Sequence, residues 1–81
     1  MAVLRIMNSS GDRSVRWDRE GVEVGDPEAI AAVREAERLF EEARARGATG
    51  FRVTTGKPAE RIERFDPDAE QIIMVPQVAG G

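Results

Sequence analysis

The 81-residue chain has no cysteine, no histidine and no tyrosine. Without cysteine there is no disulfide framework, no thiolate zinc site, no iron–sulfur cluster and no thiol nucleophile. Without histidine the commonest general base and the commonest metal ligand are gone, together with the Ser–His mode of nucleophile activation. These absences argue against an enzyme and against a bound metal. Lysine is almost missing too, with Lys57 alone among 12 basic residues. Those 12 face 15 carboxylates, a formal net charge of −3, which argues against nucleic acid or an anionic membrane as the main partner. No apolar run approaches the roughly 18–20 residues of a membrane span, and Met1–Met7 is too short for a signal peptide. The expectation is a cytoplasmic protein. It rests on the lack of a targeting signal, because a chain without cysteine suits either redox compartment. A chain of this length supports one core, built from a single sheet with a helix or two.

The apolar pattern supplies the elements. Ala2–Asn8 is rich in aliphatic and β-branched residues and runs into the turn formers Ser9, Ser10, Gly11 and Asp12. In Arg13–Asp18, Val15 and Trp17 alternate with Ser14, Arg16 and Asp18, which predicts a half-buried strand and, with the first segment, a hairpin. Gly21 and Gly25 bracket what reads as a linker. Asp26, Pro27 and Glu28 then provide an N-cap, a proline at the first helical position and an acidic first turn. The predicted helix runs to about Arg46 and stops at Gly47. Ala29, Ala32, Val33, Ala36, Leu39, Phe40 and Ala43 share one stripe of it, the face that covers a sheet. Phe51–Thr55 alternates again, with Phe51, Val53 and Thr55 on one side. Glu60–Phe65 is a weaker strand in which Ile62 and Phe65 have opposite parity, a sign of a bulge or an early end. Gln71–Val75 is apolar on both faces, as a central strand would be. The predicted class is α+β: a mixed sheet of four to five strands with one helix on one face, in the order β-β-α-β-β-β. That is a β-grasp arrangement over residues 1–75, with the last strand parallel to the first through a right-handed crossover. A split β-α-β topology is the competing arrangement.

Several local features have plain structural readings. Gly56-Lys57 is followed by Pro58 instead of Ser or Thr, and no glycine precedes it at phosphate-loop spacing, so it reads as a hairpin turn. Arg5, Arg13, Arg16 and Arg19 are diluted by Asp12, Asp18 and Glu20 and read as a solvated strand surface. Trp17 is expected in the core or at its rim, and Ile30 lies about 100° off the helix stripe. Asp66 and Asp68 flank Pro67 in a turn, with no full ligand loop for a hard cation.

The most informative segment is the last. Gln71-Ile72-Ile73-Met74-Val75 meets Pro76, which has no N–H for a ladder, and Gln77-Val78-Ala79 leads to Gly80-Gly81. Pairing is expected to stop at Pro76, leaving 76–81 as an extended tail that spans at most about 20 Å. Two residues without side chains can thread a narrow channel. From Ile72 to Gly81 the chain resembles the ubiquitin-like β-grasp superfamily, in particular prokaryotic modifiers and the sulfur carriers of molybdopterin and thiamine synthesis. Arg64–Ile72 is also similar to the acidic turn these proteins place before their last strand. The resemblance implies a substrate of enzymes. A ThiF-like activating enzyme would use ATP to adenylate the Gly81 carboxylate, with Gly80 beside it and Pro76, Gln77, Val78 and Ala79 in contact with that enzyme. A modifier would then pass through a conjugating enzyme to amines of target proteins, and a deconjugating peptidase would reverse the bond. A sulfur carrier would instead leave as a Gly81 thiocarboxylate for a cofactor synthase. A non-covalent binding module with an inert tail is the third reading. Gln77 stands where many sulfur carriers have a second proline, which favours a modifier. Self-conjugation of a modifier would have only Lys57 or the N-terminal amine to use.

Overall fold

The computed structural model describes residues 1–7 and 11–77. Its elements are β1 (Ala2–Ile6), β2 (Arg13–Trp17), α1 (Arg19–Glu23), α2 (Pro27–Ala45), β3 (Thr49–Val53), β4 (Glu60–Ile62) and β5 (Gln71–Val75). The strands form one sheet in the order β2-β1-β5-β3-β4, with β5 in the centre. It pairs parallel to β1, Leu4 facing Ile72, and antiparallel to β3, Gly50 facing Met74. The hairpin edges β1–β2 and β3–β4 are antiparallel. This is a β-grasp-like α+β fold, with the main helix α2 on one face of a mixed five-stranded sheet. No helix among the described residues is long and apolar enough to cross a membrane.

The core follows the alternation of the strands. Ala2 and Leu4 of β1, Trp17 of β2, and Ile72 and Met74 of β5 are buried against Ala36, Leu39, Phe40 and Ala43 of α2. The helix ends as its glycine predicts. Gly47 takes φ +94°, its N–H donates to the Arg44 carbonyl and the Ala48 N–H to the Ala43 carbonyl, a Schellman closure. At the other end Asp26 occupies the N-cap position, but its side chain makes no capping hydrogen bond.

The structure departs from the sequence expectation in two places. The segment read as a glycine-bracketed linker contains α1. Asp18 caps it by accepting the Glu20 N–H, and Gly21 is buried where a Cβ would stand 2.9 Å from Ala29 Cβ. Gly21 therefore serves close helix–helix approach, and chain flexibility is not its role. The third strand is Thr49–Val53, two residues earlier than Phe51–Thr55, because Thr49 faces Val75 and Val53 faces Gln71 across the ladder. The weak strand ends early at Ile62, one of the two outcomes its parity predicts, and Phe65 turns into the core, 5.5 Å from the Trp17 ring and 5.9 Å from the Phe40 ring. The first strand closes at Ile6, and the turn residues Ser9 and Ser10 lie outside the described residues.

Candidate functional site

The C-terminal end of β5 and the sheet face beside it, which no described element covers, form the candidate site. Alternation sends Ile72 and Met74 into the core and leaves Gln71, Ile73 and Val75 on the opposite face. The neighbours follow the register. Val3 and Arg5 of β1, Thr49, Phe51 and Val53 of β3, Ser14 and Arg16 of β2 and Arg61 of β4 share that face. One row crosses all five strands as Ser14, Arg5, Ile73, Phe51, Arg61. Its centre is apolar and half-buried, with Val3 and Val53 alongside and Val75 37% exposed. The strand residues of this face include three arginines and no carboxylate, although the whole chain carries −3. The face is therefore an apolar centre with cationic flanks, suited to a partner surface of matching apolar and acidic character.

At the end of β5 the ladder closes. Met7 N–H donates to the Met74 carbonyl at 3.2 Å, Val75 faces Thr49, and Pro76 follows with no N–H to give. Pairing stops where the sequence predicts, and just beyond it one side chain touches the body. The Gln77 side chain lies over Gly47, where an added Cβ would overlap its Oε1 and stand 3.4 Å from its Cδ. Of the tail residues singled out by the sequence, Pro76 and Gln77 are described and exposed. Val78, Ala79, Gly80 and Gly81 lie outside the described residues.

The remaining candidates fall elsewhere. Lys57 is exposed in the turn between β3 and β4, its N–H donating to the Thr54 carbonyl. That turn is at the Gln71 end of β5, so Lys57 and the chain exit occupy opposite ends of the central strand, about 13 Å of β rise apart. An open depression of about 730 Å³ beside Lys57 is lined by Arg52, Glu60, Asp66 and Glu70, all engaged in contacts of their own. Arg52 pairs with Asp66 at 2.7 Å and with Glu60. Glu70 accepts the Thr55 N–H at 2.8 Å and the Thr55 hydroxyl at 3.1 Å, bonds that hold its carboxyl below the ordinary value near 4.5. Asp66 also accepts the Asp68 N–H, closing the acidic turn on itself. The arginines Arg5, Arg13, Arg16 and Arg19 form no single patch. Arg5 and Arg16 belong to the open face, Arg13 to the helix side opposite Ile6, and Arg19 donates to the Asp68 carbonyl at 2.9 Å. Trp17 is buried and donates from Nε1 to the Pro67 carbonyl.

Sequence reasoning missed Gly47 as the partner of Gln77, and it missed Phe51 and Arg61 as members of the open face. The alternation of Phe51 and Val53 was visible. The side they take is decided by Gly50, which packs under Phe40. Comparison with family models, with curated proteins and with solved structures finds no match.

Proposed function

We propose that the chain is a ubiquitin-like protein modifier that acts as a substrate of other enzymes, with its reactive group the carboxylate of Gly81. The observation that carries this reading is the route of the chain: the central strand of a β-grasp-like sheet runs directly through Pro76 into a segment closing on Gly80-Gly81. A carboxylate of this kind has a pKa near 3.3–3.7 and is ionised and unreactive at neutral pH, so it needs external activation. A ThiF-like enzyme supplies it. A Gly81 carboxylate oxygen attacks the α-phosphorus of ATP and pyrophosphate leaves, giving an acyl adenylate. A partner cysteine thiolate then displaces AMP to form a thioester, and a target amine displaces the thiol to form the amide. The thiols belong to the partners, in keeping with a chain that has none. The open sheet face seats the body on the activating enzyme, its arginines Arg5, Arg16 and Arg61 against an acidic surface there. Lys57 stands at the far end of β5 from the exit and would accept Gly81 of a second copy.

The test is recovery of the N-terminally tagged protein from its native host, wild type and lacking Gly81. Higher-mass species that depend on Gly81 and carry it in amide linkage are the expected result. No lysine or arginine follows Arg64, so trypsin leaves Phe65–Gly81 on the target, and that whole peptide is the mass to seek. Replacement of one terminal oxygen by sulfur, without conjugates, would assign the sulfur-carrier reading. Function that survives loss of Gly81 would leave a non-covalent module.

A further inference from the structure

Val75 faces Thr49 across the antiparallel ladder of β3 and β5. Each step forward on one chain is matched by a step back on the other, so two residues beyond the ladder Gln77 comes opposite Gly47. Contact follows that geometry. The Cδ and Cβ of Gln77 approach to 3.4 and 3.5 Å of the place a Cβ on Gly47 would occupy, and Oε1 stands within it. One feature requires glycine at 47 and a second uses it. The helix closure requires its φ of +94°, and the bare Cα is the floor on which Gln77 lies. A left-handed turn alone does not bring such a neighbour. Gly11, Gly25 and Gly56 also have positive φ, and among the described residues nothing stands within 4 Å of a Cβ built on any of them.

We infer that Gln77 is a positioning residue: its contact with Gly47 sets the point from which Gly81 is presented to the activating enzyme. The inference rests on reading Gly81 as the activated carboxylate. With Gln77 held, the arm is the four residues from Val78 and reaches at most about 14 Å, against about 20 Å for the six from Pro76. The activating site must then come within the shorter reach, and the body and the arm are recognised together. Holding the base of the arm before binding also removes part of the ordering that association otherwise demands. Loss of the contact should accordingly weaken capture of the protein and leave the chemical step alone, a rise in KM with kcat unchanged.

The experiment compares wild type, Gln77→Ala and Gln77→Met, the last keeping an unbranched chain of similar length to lie on Gly47. Two readouts are taken on the full chain. The first is the nuclear Overhauser contact between the Gln77 side chain and the Gly47 α-protons. The second is ATP–pyrophosphate exchange by the ThiF-like enzyme of the same host. The contact is expected in wild type. Gln77→Ala should raise KM about three- to tenfold, with kcat and melting temperature unchanged, and Gln77→Met should restore most of the loss. A missing Overhauser contact, or Gln77→Ala kinetics equal to wild type, overturns the inference. Wild type that supports no exchange overturns the reading of Gly81 and the role of Gln77 with it. The Overhauser contact distinguishes that failure from an error in the geometry.

Discussion

At Gly50 an added Cβ would stand 2.8 Å from Phe40 Cε2, 3.3 Å from Phe40 Cζ and 3.2 Å from Met74 Sδ. Both neighbours are fully buried, so neither can swing into solvent to make room. Gly50→Ala is therefore expected to destabilise the fold by about 1–3 kcal/mol through overpacking. Thermal unfolding would read this at about 4–8 °C per kcal/mol for a domain of this size. The opposite substitution, Phe40→Ala, empties the space beneath the sheet and should cost about 3–5 kcal/mol, enough to unfold much of the population at 37 °C. Hydrogen–deuterium exchange of β5 amides would report that loss directly. Trp17 combines both kinds of constraint, since its ring is buried against Phe65 and its Nε1–H reaches the Pro67 carbonyl. The polar end of the side chain thereby ties the 63–70 segment to the core that its apolar body helps to fill.

The same logic acts between elements. Helix α1 is only five residues long, and isolated helices of that length do not persist in water. Its order comes from the Asp18 cap and from Gly21 packed on Ala29. Asp18→Ala is expected to cost about 0.5–2 kcal/mol, with loss of protection at the Glu20 amide as the local readout. The turn that carries Lys57 is held from a distant segment, by Glu70 just before β5 accepting from Thr55. The carboxyl of Glu70 lies below its ordinary value in the folded state because the Thr55 N–H, and then the Thr55 hydroxyl, bind the ionised form. A depressed folded value means that the contribution is present above the ordinary value near 4.5 and is lost as the pH falls through the folded value. Acidification below about pH 4.5 should thus loosen the 54–59 turn, read as faster exchange of the Thr55 amide, and Glu70→Gln should remove most of that pH dependence.

For the whole molecule, the asymmetry of the sheet matters most. One face is sealed by α2, and the other presents Ile73 and Phe51 between Arg5 and Arg61. A chain with net charge −3 thus carries one cationic face, and charge at the flanks of an interface acts mainly on encounter rate and salt dependence. On the proposed modifier role, Arg5→Glu combined with Arg61→Glu is expected to lower kcat/KM for activation by about tenfold at low salt. The deficit should shrink as ionic strength rises, and the melting temperature should stay within about 2–4 °C of wild type, since exposed side chains contribute little to stability. An unaltered activation rate would mean that the activating enzyme docks elsewhere on the body.

Much of this was legible in the residues. The helix from Pro27, its closure at Gly47, its buried stripe and the double-faced apolarity of Gln71–Val75 depend on local chemistry and periodicity, which sequence carries in full. A strand apolar on both faces must be central, so the β1–β5 pairing followed. What sequence alone left open required knowing which segment lies opposite which. Gly21 reads as the start of a linker until Ala29 is found against it, and the side taken by Phe51 and Val53 stays open until Gly50 is seen to take the helix side. Gln77 reads as part of a free tail until register sets it over Gly47. In each case a glycine decides. Its missing side chain leaves no mark in the hydrophobic pattern, and only a neighbour distant in the chain shows what the empty space is for.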